Sequence, residues 1–265
     1  MGAKKVLITG GSDGLGFELS KRFASDGYQL YWVTLWEEEA VVAKDALSKL
    51  FPQTKVDYLV QDLTEADGAE KVHEWVKGQG EQLDVLVNNA GMGTFGSSHS
   101  IPMEKELRMI ELNAVSLYKM TRLFLEGMME RDAGVIINIS SNSSLQPVPK
   151  MAAYAATKAF VSHYSQALDE ELRELRSNVR VITICPAAFG DTRFRALANM
   201  DRVKTFRGLM ATSKKEVAND IWKGFQRGKA FQLSGIRLRL LYPFIILLPR
   251  AITQRIVKWE VSESQ

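Results

Sequence analysis

Short β-branched runs that alternate with longer helical segments constrain the fold of this chain more than any other feature. Seven runs have the length and composition of strands: Lys4–Thr9, Gln29–Thr34, Lys55–Gln61, Leu83–Val87, Val135–Ser141, Val179–Ile184 and Ala230–Leu233. Strands separated by helices form a parallel sheet, because each helix returns the chain to the edge where the next strand begins. No internal repeat, low-complexity tract or linker divides the sequence. We therefore predict one α/β domain with helices on both faces of its sheet.

The composition is typical of a soluble globular protein with a sizeable core. Of 265 residues, 46% are hydrophobic and 25% are charged. The single cysteine, Cys185, excludes an intramolecular disulfide and a cysteine-based zinc site, and it suits a reducing compartment. The first apolar run, Val6–Ile8, is far too short for a secretory signal. We expect a cytoplasmic protein without a bound metal.

The net charge of +3 conceals a strongly basic C-terminal part. Between Arg193 and Lys258 there are 15 lysines and arginines but only 3 acidic residues. Such a surface is either simply solvated or attracts anions such as phospholipid headgroups, a CoA thioester or phosphates. We do not expect nucleic acid as a partner, because no nucleic-acid-reading motif accompanies the charge.

The first strand leads into a glycine-rich segment, Gly10–Gly16, which precedes a helical pattern that stops at Gly27. A strand, a glycine turn and a helix N-terminus in this order favour a pyrophosphate site, because backbone N–H groups and the helix dipole face the phosphates. The end of the second strand should then read the adenosine ribose, with an acid for NAD or a base for NADP. The segment Thr34–Trp36 supplies neither, and Glu37–Glu39 are expected in the first turn of the next helix. This stretch leaves the choice of cofactor open.

A second group of residues indicates an acid–base site. Tyr154 and Lys158 are four positions apart in a helix that is predicted to reach about Leu175, so their side chains point into the same space. The ammonium group favours the phenolate and would bring the tyrosine pKa toward neutrality. Ser141 lies at the carboxyl end of its strand, where open α/β sheets bind ligands.

Two polar residues stand out in the remaining segments. Asn113 lies inside a predicted helix, Glu104–Arg131, where asparagine is unfavourable, so it is either a tolerated bystander or a functional polar group. Asp62 precedes a helix predicted at Ala66–Gly78. We expect its carboxylate to cap that helix and to accept a hydrogen bond from an adenine amino group.

Taken in chain order, these motifs resemble the short-chain dehydrogenase/reductase family. The resemblance rests on Thr9-Gly10-x-x-x-Gly14-x-Gly16, Asp62, Asn88-Asn89-Ala90-Gly91, Asn113, Ser141, Tyr154-x-x-x-Lys158 and Pro186. It implies a Rossmann-type, doubly wound α/β fold with a mostly parallel seven-stranded sheet. It also implies an enzyme that transfers hydride between NAD(P) and a carbonyl group or secondary alcohol.

The resemblance assigns a role to each catalytic residue. Tyr154 would be the general acid or base, Ser141 would stabilise charge on the carbonyl oxygen, and Lys158 would adjust the tyrosine and bind the nicotinamide ribose. Asn113 would hold a water molecule in the proton relay. The implied cofactor-binding residues are Gly10, Ser12, Asp13, Gly14, Leu15, Gly16, Thr34, Asp62, Leu63, Asn89, Ala90, Gly91, Tyr154, Lys158, Pro186, Phe189 and Thr192. NADP(H) is the expected cofactor, because reductases of the most similar subgroup mostly use it, and NAD(H) is the alternative.

The C-terminal part differs in character from the rest of the chain. We divide the chain into a catalytic domain at 1–235, with a substrate-binding segment at 187–228, and a basic, apolar extension at 236–265. Within the extension, the ten residues Leu240–Pro249 include two prolines and are flanked by arginines, and they are too few to span a bilayer, which takes about 20. They form either a wall of the substrate pocket, an oligomer contact or an interfacial membrane anchor.

The resemblance also predicts the kind of substrate and the assembly. The basic, apolar C-terminal part is similar to that of members that act on lipid carbonyls, such as 3-oxoacyl thioesters, long-chain ketones or sterols. Helices at Glu104–Arg131 and Tyr154–Leu175 are the usual dimer surface in the family, so a homodimer or homotetramer is expected. The alternative functions are a hydroxysteroid-type dehydrogenase and a catalytically weak dinucleotide-binding sensor or scaffold.

Overall fold

The computed structural model describes residues 3–80, 82–190, 193–200, 203–206, 211–245 and 247–262. The strands are β1 (Lys5–Thr9), β2 (Gln29–Thr34), β3 (Val56–Val60), β4 (Val85–Asn88), β5 (Val135–Ile139), β6 (Arg180–Pro186) and β7 (Phe231–Ser234). The α-helices are α1 (Gly14–Ser25), α2 (Glu37–Leu50), α3 (Gly68–Gly78), α4 (Met103–Ile110), α5 (Leu117–Glu130), α6 (Ala152–Glu174), α7 (Arg193–Leu197), α8 (Lys214–Gln226), α9 (Ile236–Ile245) and α10 (Arg250–Glu260).

The seven strands form one sheet in the order β3-β2-β1-β4-β5-β6-β7, and every pair of neighbours is parallel. The direction in which the chain adds strands reverses between β1 and β4. In a doubly wound sheet this reversal opens a crevice beyond the carboxyl ends of the two strands, where ligands bind. The predicted fold class is confirmed.

Two separate apolar clusters cover the two faces of the sheet. Successive strand residues point to opposite faces, so Val6 and Ile8 pack on one side together with residues of α1, α2 and α8. Leu7, between them, packs on the other side with residues of α3, α5 and α6, among them Phe124 and Leu172. Because both faces are covered, most strand residues are apolar, and this is why the strands are visible in the sequence.

The predicted helix Glu104–Arg131 is interrupted. The α4 and α5 helices are joined by a π-helical turn, Glu111–Ser116, that contains Asn113. A π turn accommodates one residue more than an ordinary helical turn and is common at functional sites. Asn113 is fully buried, and its side chain binds the backbone of Met92 on the loop after β4. The polar residue that is unfavourable in a regular helix therefore lies where the helix is irregular.

The C-terminal residues pack against the rest of the molecule. Leu238 of α9 belongs to a cluster with Cys185 and Leu233, and Val257 of α10 belongs to the cluster that contains Tyr154. Pro243 lies inside α9, and Pro249 precedes the first turn of α10. None of the helices in the described ranges is long and apolar enough to cross a membrane.

Candidate active site

The glycine-rich turn between β1 and α1 requires residues without a side chain. Gly10 and Gly14 have φ angles of 66° and 55°, which favour glycine. A Cβ atom on Gly16 would lie 1.9 Å from the carbonyl oxygen of Gly10, so the helix and the turn approach each other directly. Asp13 precedes α1 without using its side chain to cap it, and the first turn of α1 contains no acidic residue. The arrangement fits a dinucleotide pyrophosphate.

The loop after β4 is fastened to this turn by side-chain hydrogen bonds. Thr9 Oγ1 accepts hydrogen bonds from the backbone N–H groups of Asn89 and Ala90, each at 2.9 Å. Asn89 Nδ2 donates to the carbonyl oxygen of Thr9 at 2.9 Å. The two loops at the switch point therefore form one polar wall, on which a cofactor can lie.

The end of β2 is polar but carries no base of its own. The hydroxyl groups of Thr34 and Ser12 lie 3.0 Å apart. Glu37, Glu38 and Glu39 occupy the first turn of α2, as predicted. A cation nevertheless reaches this region, because Arg193 pairs with Glu39 and lies 5.6 Å above the ring centre of Trp36. No local pattern predicts this contact, because α7 follows β2 at a great distance along the chain.

Asp62 does not have the capping role that the sequence predicts for it. Its Oδ1 atom accepts hydrogen bonds from the backbone N–H and the hydroxyl of Thr64 at 2.8 and 2.7 Å, and its Oδ2 atom pairs with Arg108 at 2.7 Å. The prediction that Asp62 caps the next helix is wrong, because a turn intervenes and α3 begins only after Asp67. The carboxylate is instead fixed beside Leu63 at the edge of the crevice.

The candidate catalytic residues meet at the carboxyl end of β5. Ser141 follows that strand, and α6 presents Tyr154 and Lys158 to the same space, with all three side chains buried. Lys158 Nζ donates to the carbonyl oxygen of Ile139 at 2.9 Å and lies 6.0 Å from the ring centre of Tyr154. Ser140 Oγ donates to the carbonyl oxygen of Lys158 at 2.7 Å, which holds α6 against β5.

Burial is the main cause of the pKa shifts of Tyr154 and Lys158. It raises the pKa of Tyr154 to about 12, and a hydrogen bond with Ser141 opposes the rise. It lowers the pKa of Lys158 to about 8. The direction for Tyr154 differs from the sequence-based expectation of an acidified phenol, because loss of hydration outweighs the effect of the lysine. At neutral pH Tyr154 is therefore protonated, and it can donate a proton.

Asn113 supports the loop that borders the catalytic residues. Its Oδ1 atom accepts from the backbone N–H of Met92 at 3.0 Å, and its Nδ2 atom donates to the carbonyl oxygen of Met92 at 2.8 Å and to Thr157 Oγ1 at 3.3 Å. A Cβ atom on Gly91 would lie 3.1 Å from Asn113 Oδ1 and 3.5 Å from Lys158 Nζ. Asn113 therefore joins the cofactor-side loop to α6, just behind the surface of the crevice.

One cavity of about 740 Å³ contains nearly the whole predicted site. Gly16 and Asn113 lie behind its wall, and Thr192 falls outside the described residues. The predicted residues that line it are Gly10, Ser12, Asp13, Gly14, Leu15, Thr34, Asp62, Leu63, Asn89, Ala90, Gly91, Ser141, Tyr154, Lys158, Pro186 and Phe189.

The part of the cavity near Tyr154 is walled by apolar side chains, and apart from those within Leu240–Pro249 the sequence analysis does not single them out. Phe194 lies 5.6 Å from Tyr154 between ring centres. The C-terminal helices contribute much of this wall, which only their apolar composition could have suggested. Its apolar members include Met92, Val148, Met151, Phe194, Leu197, Met200, Phe206, Leu238, Tyr242, Ile245, Ile256, Val257 and Val261.

Known proteins share this sequence pattern. A family model described as short chain dehydrogenase matches residues 4–202. A very-long-chain 3-oxoacyl-CoA reductase of Homo sapiens is 34% identical over 176 residues, which are 63% of this chain and 54% of that protein. The chain thus spans about half the length of these relatives. An NADP-dependent 3-hydroxy acid dehydrogenase of Salmonella typhi is 31% identical over 222 residues, which are 82% of this chain and 87% of that protein.

Solved structures resemble it over almost all of its length. A short-chain dehydrogenase from Sphingobium yanoikuyae in complex with NADPH superposes with a TM-score of 0.82 at 25% identity, covering 99% of this chain and 97% of the other. Serine dehydrogenase complexed with NADP⁺ superposes with a TM-score of 0.72 at 30% identity, covering 83% and 88%. The first of these similarities includes the C-terminal helices as well as the sheet.

Proposed function

Because the chain belongs to the short-chain dehydrogenase family, we propose that it is an NADP(H)-dependent oxidoreductase that reduces the carbonyl group of an apolar, lipid-like substrate. A 3-oxoacyl thioester or a long-chain ketone fits this description. The observation that carries the proposal is that Ser141, Tyr154 and Lys158 line the same cavity as the glycine-rich turn. A proton donor and a dinucleotide site therefore share one space.

The residues of the chain supply everything in this reaction except the hydride, which NADPH supplies when bound. Ser141 donates a hydrogen bond to the carbonyl oxygen and stabilises the negative charge that develops there. Tyr154 transfers its proton to that oxygen, so that a secondary alcohol forms. Lys158 stabilises the resulting phenolate through its positive charge. Tyr154 then recovers a proton from solvent, for which the resemblance gives Asn113 the role of holding a water molecule.

The relatives support both the cofactor and the substrate class. One relative is named as NADP-dependent, and the two solved structures described above contain NADPH or NADP⁺. Several relatives are named as reductases of very-long-chain 3-oxoacyl-CoA. The apolar wall beside Tyr154 supports the same class, because an acyl chain binds by burying apolar surface.

The substrate end of the cavity depends on the C-terminal helices. Val257 and Val261 pack in the cluster that contains Tyr154, and Leu238 and Ile245 line the cavity from α9. The extension at 236–265 accordingly completes the catalytic domain in our proposal, together with the substrate-binding segment at 187–228. The carboxyl group of Glu260 is a polar group within this apolar wall. It accepts a hydrogen bond from Thr205 at 3.2 Å, and burial raises the pKa of Glu260.

We expect kcat/KM for NADPH-dependent ketone reduction to rise with chain length. Each methylene group that becomes buried contributes about 0.8 kcal/mol and should raise kcat/KM roughly fourfold, until the substrate chain fills the apolar part of the cavity. Ile256→Ser removes an apolar side chain that lines the cavity and should lower kcat/KM several-fold for long ketones only. Ile252→Ser is the matched control, because Ile252 lies one turn earlier in α10 with similar exposure but does not line the cavity. Absence of turnover with every ketone in the series would contradict the proposed function.

The outer surface of the C-terminal helices fits a membrane interface. Leu240, Phe244 and Leu247 are 64%, 69% and 79% exposed, and arginines at 237, 239, 250 and 255 flank them. Apolar side chains surrounded by basic ones bind anionic bilayer surfaces. We propose that this surface binds to an anionic bilayer. The apolar end of the cavity would then lie next to the membrane lipids.

Flotation with vesicles tests this contact. Wild-type protein should float with vesicles that contain phosphatidylserine and much less with phosphatidylcholine alone. Phe244→Asp with Leu247→Asp should abolish the recovery, whereas Leu175→Asp, at an exposed leucine just after the end of α6, should not. Equal recovery of the double variant and the wild type would refute the contact.

The exposed side of α4 to α6 fits a contact between subunits. Leu107, Tyr118 and Phe160 are exposed there, and the rings of Phe160 and Tyr164 are stacked with centres 5.8 Å apart. We propose a homodimer through this surface, or a tetramer that contains it. Sedimentation equilibrium that gave the 29.7 kDa mass of one chain would exclude both assemblies.

A further inference from the structure

The residues at the end of β2 do not supply the positive charge that the 2′-phosphate of the proposed cofactor needs. The 2′-phosphate that distinguishes NADP from NAD needs a cation, normally supplied next to this strand end. Here the strand is followed by Leu35 and Trp36 and then by three glutamates, and Asp13 lies on the opposite loop. The local residues therefore repel a phosphate rather than attract it.

Arg193 brings a positive charge to this place from the other side of the cavity. It is the first residue of α7, and its guanidinium lies 5.6 Å from the ring centre of Trp36 and pairs with Glu39. Arg193 lines the main cavity together with Ser12 and Thr34. It also lines a smaller adjacent cavity that is bordered by Asp13 and by Glu38 and Glu39.

Among the described residues that line the cavity, the other basic side chains lie away from the end of β2. Lys158 belongs to the catalytic end and donates to the carbonyl oxygen of Ile139. Arg108 is paired with Asp62, and Lys105 lies on the same helix, α4. Among these side chains, Arg193 is the one that the structure places against the first residues after β2.

We infer that Arg193 recognises the 2′-phosphate of NADP(H) and thereby sets the preference for NADP(H) over NAD(H); this inference rests on the proposed function. A guanidinium binds a phosphate through two parallel hydrogen bonds, and stacking on an aromatic ring keeps its plane oriented. Trp36 supplies the ring and Glu39 holds the guanidinium nearby. When the phosphate enters, Arg193 exchanges part of its contact with Glu39 for the new anion.

Glu39 should have the opposite effect on the cofactor preference. Its carboxylate competes with the phosphate for Arg193 and could accept hydrogen bonds from the ribose hydroxyls of NADH. The pair therefore predicts opposite effects for neutralising its two members. Loss of the arginine should harm only the phosphorylated nucleotide, and loss of the glutamate should favour it.

Equilibrium titrations of NADPH and NADH, followed by protein fluorescence without any carbonyl compound, test the inference. Arg193→Gln should raise the Kd of NADPH by about 10- to 100-fold and that of NADH by less than about twofold. Glu39→Gln should lower the Kd of NADPH. Lys44→Gln, which removes a charge from α2 outside the cavity, should change neither Kd by more than about twofold. The fragments 2′,5′-ADP and 5′-AMP should repeat the contrast, because the 2′-phosphate is their only difference.

Three results would overturn the inference. The first is an Arg193→Gln variant that binds NADPH as tightly as the wild type. The second is equal weakening of NADPH and NADH, which would make Arg193 a general support of the cleft. The third is a wild-type protein that binds NADH at least as tightly as NADPH. These results are independent of ketone turnover, so a failure of the proposed reduction would be recognised separately.

Discussion

Replacing Tyr154 with phenylalanine is expected to lower kcat for ketone reduction by about 100- to 10,000-fold, the usual contribution of a general acid. The Kd of NADPH should stay within about twofold of the wild-type value, because the aromatic ring and its packing against Phe194 remain. The reason for the loss is the proton itself. Burial keeps the Tyr154 hydroxyl protonated through neutral pH, where it is ready to be donated.

A second tyrosine on the same helix provides the control. The hydroxyl of Tyr164 is buried, with no hydrogen-bond partner among the described residues, so Tyr164→Phe should leave kcat within about twofold of the wild-type value. Single-turnover measurements with saturating NADPH separate the chemical step from product release. A Tyr154→Phe variant that kept more than a tenth of wild-type kcat would exclude Tyr154 as the proton donor. Turnover would then depend on another proton donor, whereas a wild-type protein that binds NADPH but reduces no ketone would favour the dinucleotide-binding sensor.

Replacing Gly16 with alanine should abolish measurable NADPH binding. The new Cβ atom would lie 1.9 Å from the carbonyl oxygen of Gly10 and 2.8 Å from Asn89 Nδ2. Neither neighbour can yield easily, because one is backbone and the other is held by Thr9 at 2.9 Å. The turn must open, which should raise the Kd of NADPH by more than about 100-fold and lower the free energy of unfolding by about 1–3 kcal/mol.

Gly127 supplies the matched control for this substitution. It lies inside α5, and within the described part of the chain the side-chain atom nearest to its added Cβ would be Arg131 Nη1, at an ordinary contact distance of 3.7 Å. Gly127→Ala should therefore raise the free energy of unfolding by roughly 0.5–1 kcal/mol and leave the Kd of NADPH unchanged. Isothermal titration with NADPH and urea unfolding measure the two quantities. Wild-type affinity in Gly16→Ala would show that the glycine turn does not hold the dinucleotide.

The fold was predictable because its signals are local. Most strands are buried on both faces, so their apolar runs identify them, and alternation with helices then requires a parallel sheet. Ser141, Tyr154 and Lys158 were recognisable for a related reason. Their positions follow from a strand end and a helical spacing, both of which can be read from neighbouring residues.

Features that depend on contacts between distant segments were not predictable. The position of Arg193 over Trp36 requires α7 to cross the crevice, and no pattern near either residue indicates this. The π turn at Asn113 requires the backbone of Met92 to stand opposite it. The pKa of Tyr154 was expected to fall from the nearness of Lys158, but the depth of its burial, which only the packed structure determines, raises it.

The widened turn between α4 and α5 also preserves the rotational phase of one helix against the other. One additional residue advances a regular helix by about 100° around its axis, but a π turn takes up that residue within a single wider turn, so the helices on either side keep their orientation. Deleting a residue from Glu111–Ser116 would therefore restore regular winding without rotating α4. Deleting Ile110 from the regular part of α4, with the π turn kept, would instead rotate the rest of that helix by about 100°. Met109 would leave the interior and Arg108 would swing away from Asp62. A change of one residue in chain length beside this turn would thus alter both the packing of the core and the rim of the nucleotide crevice.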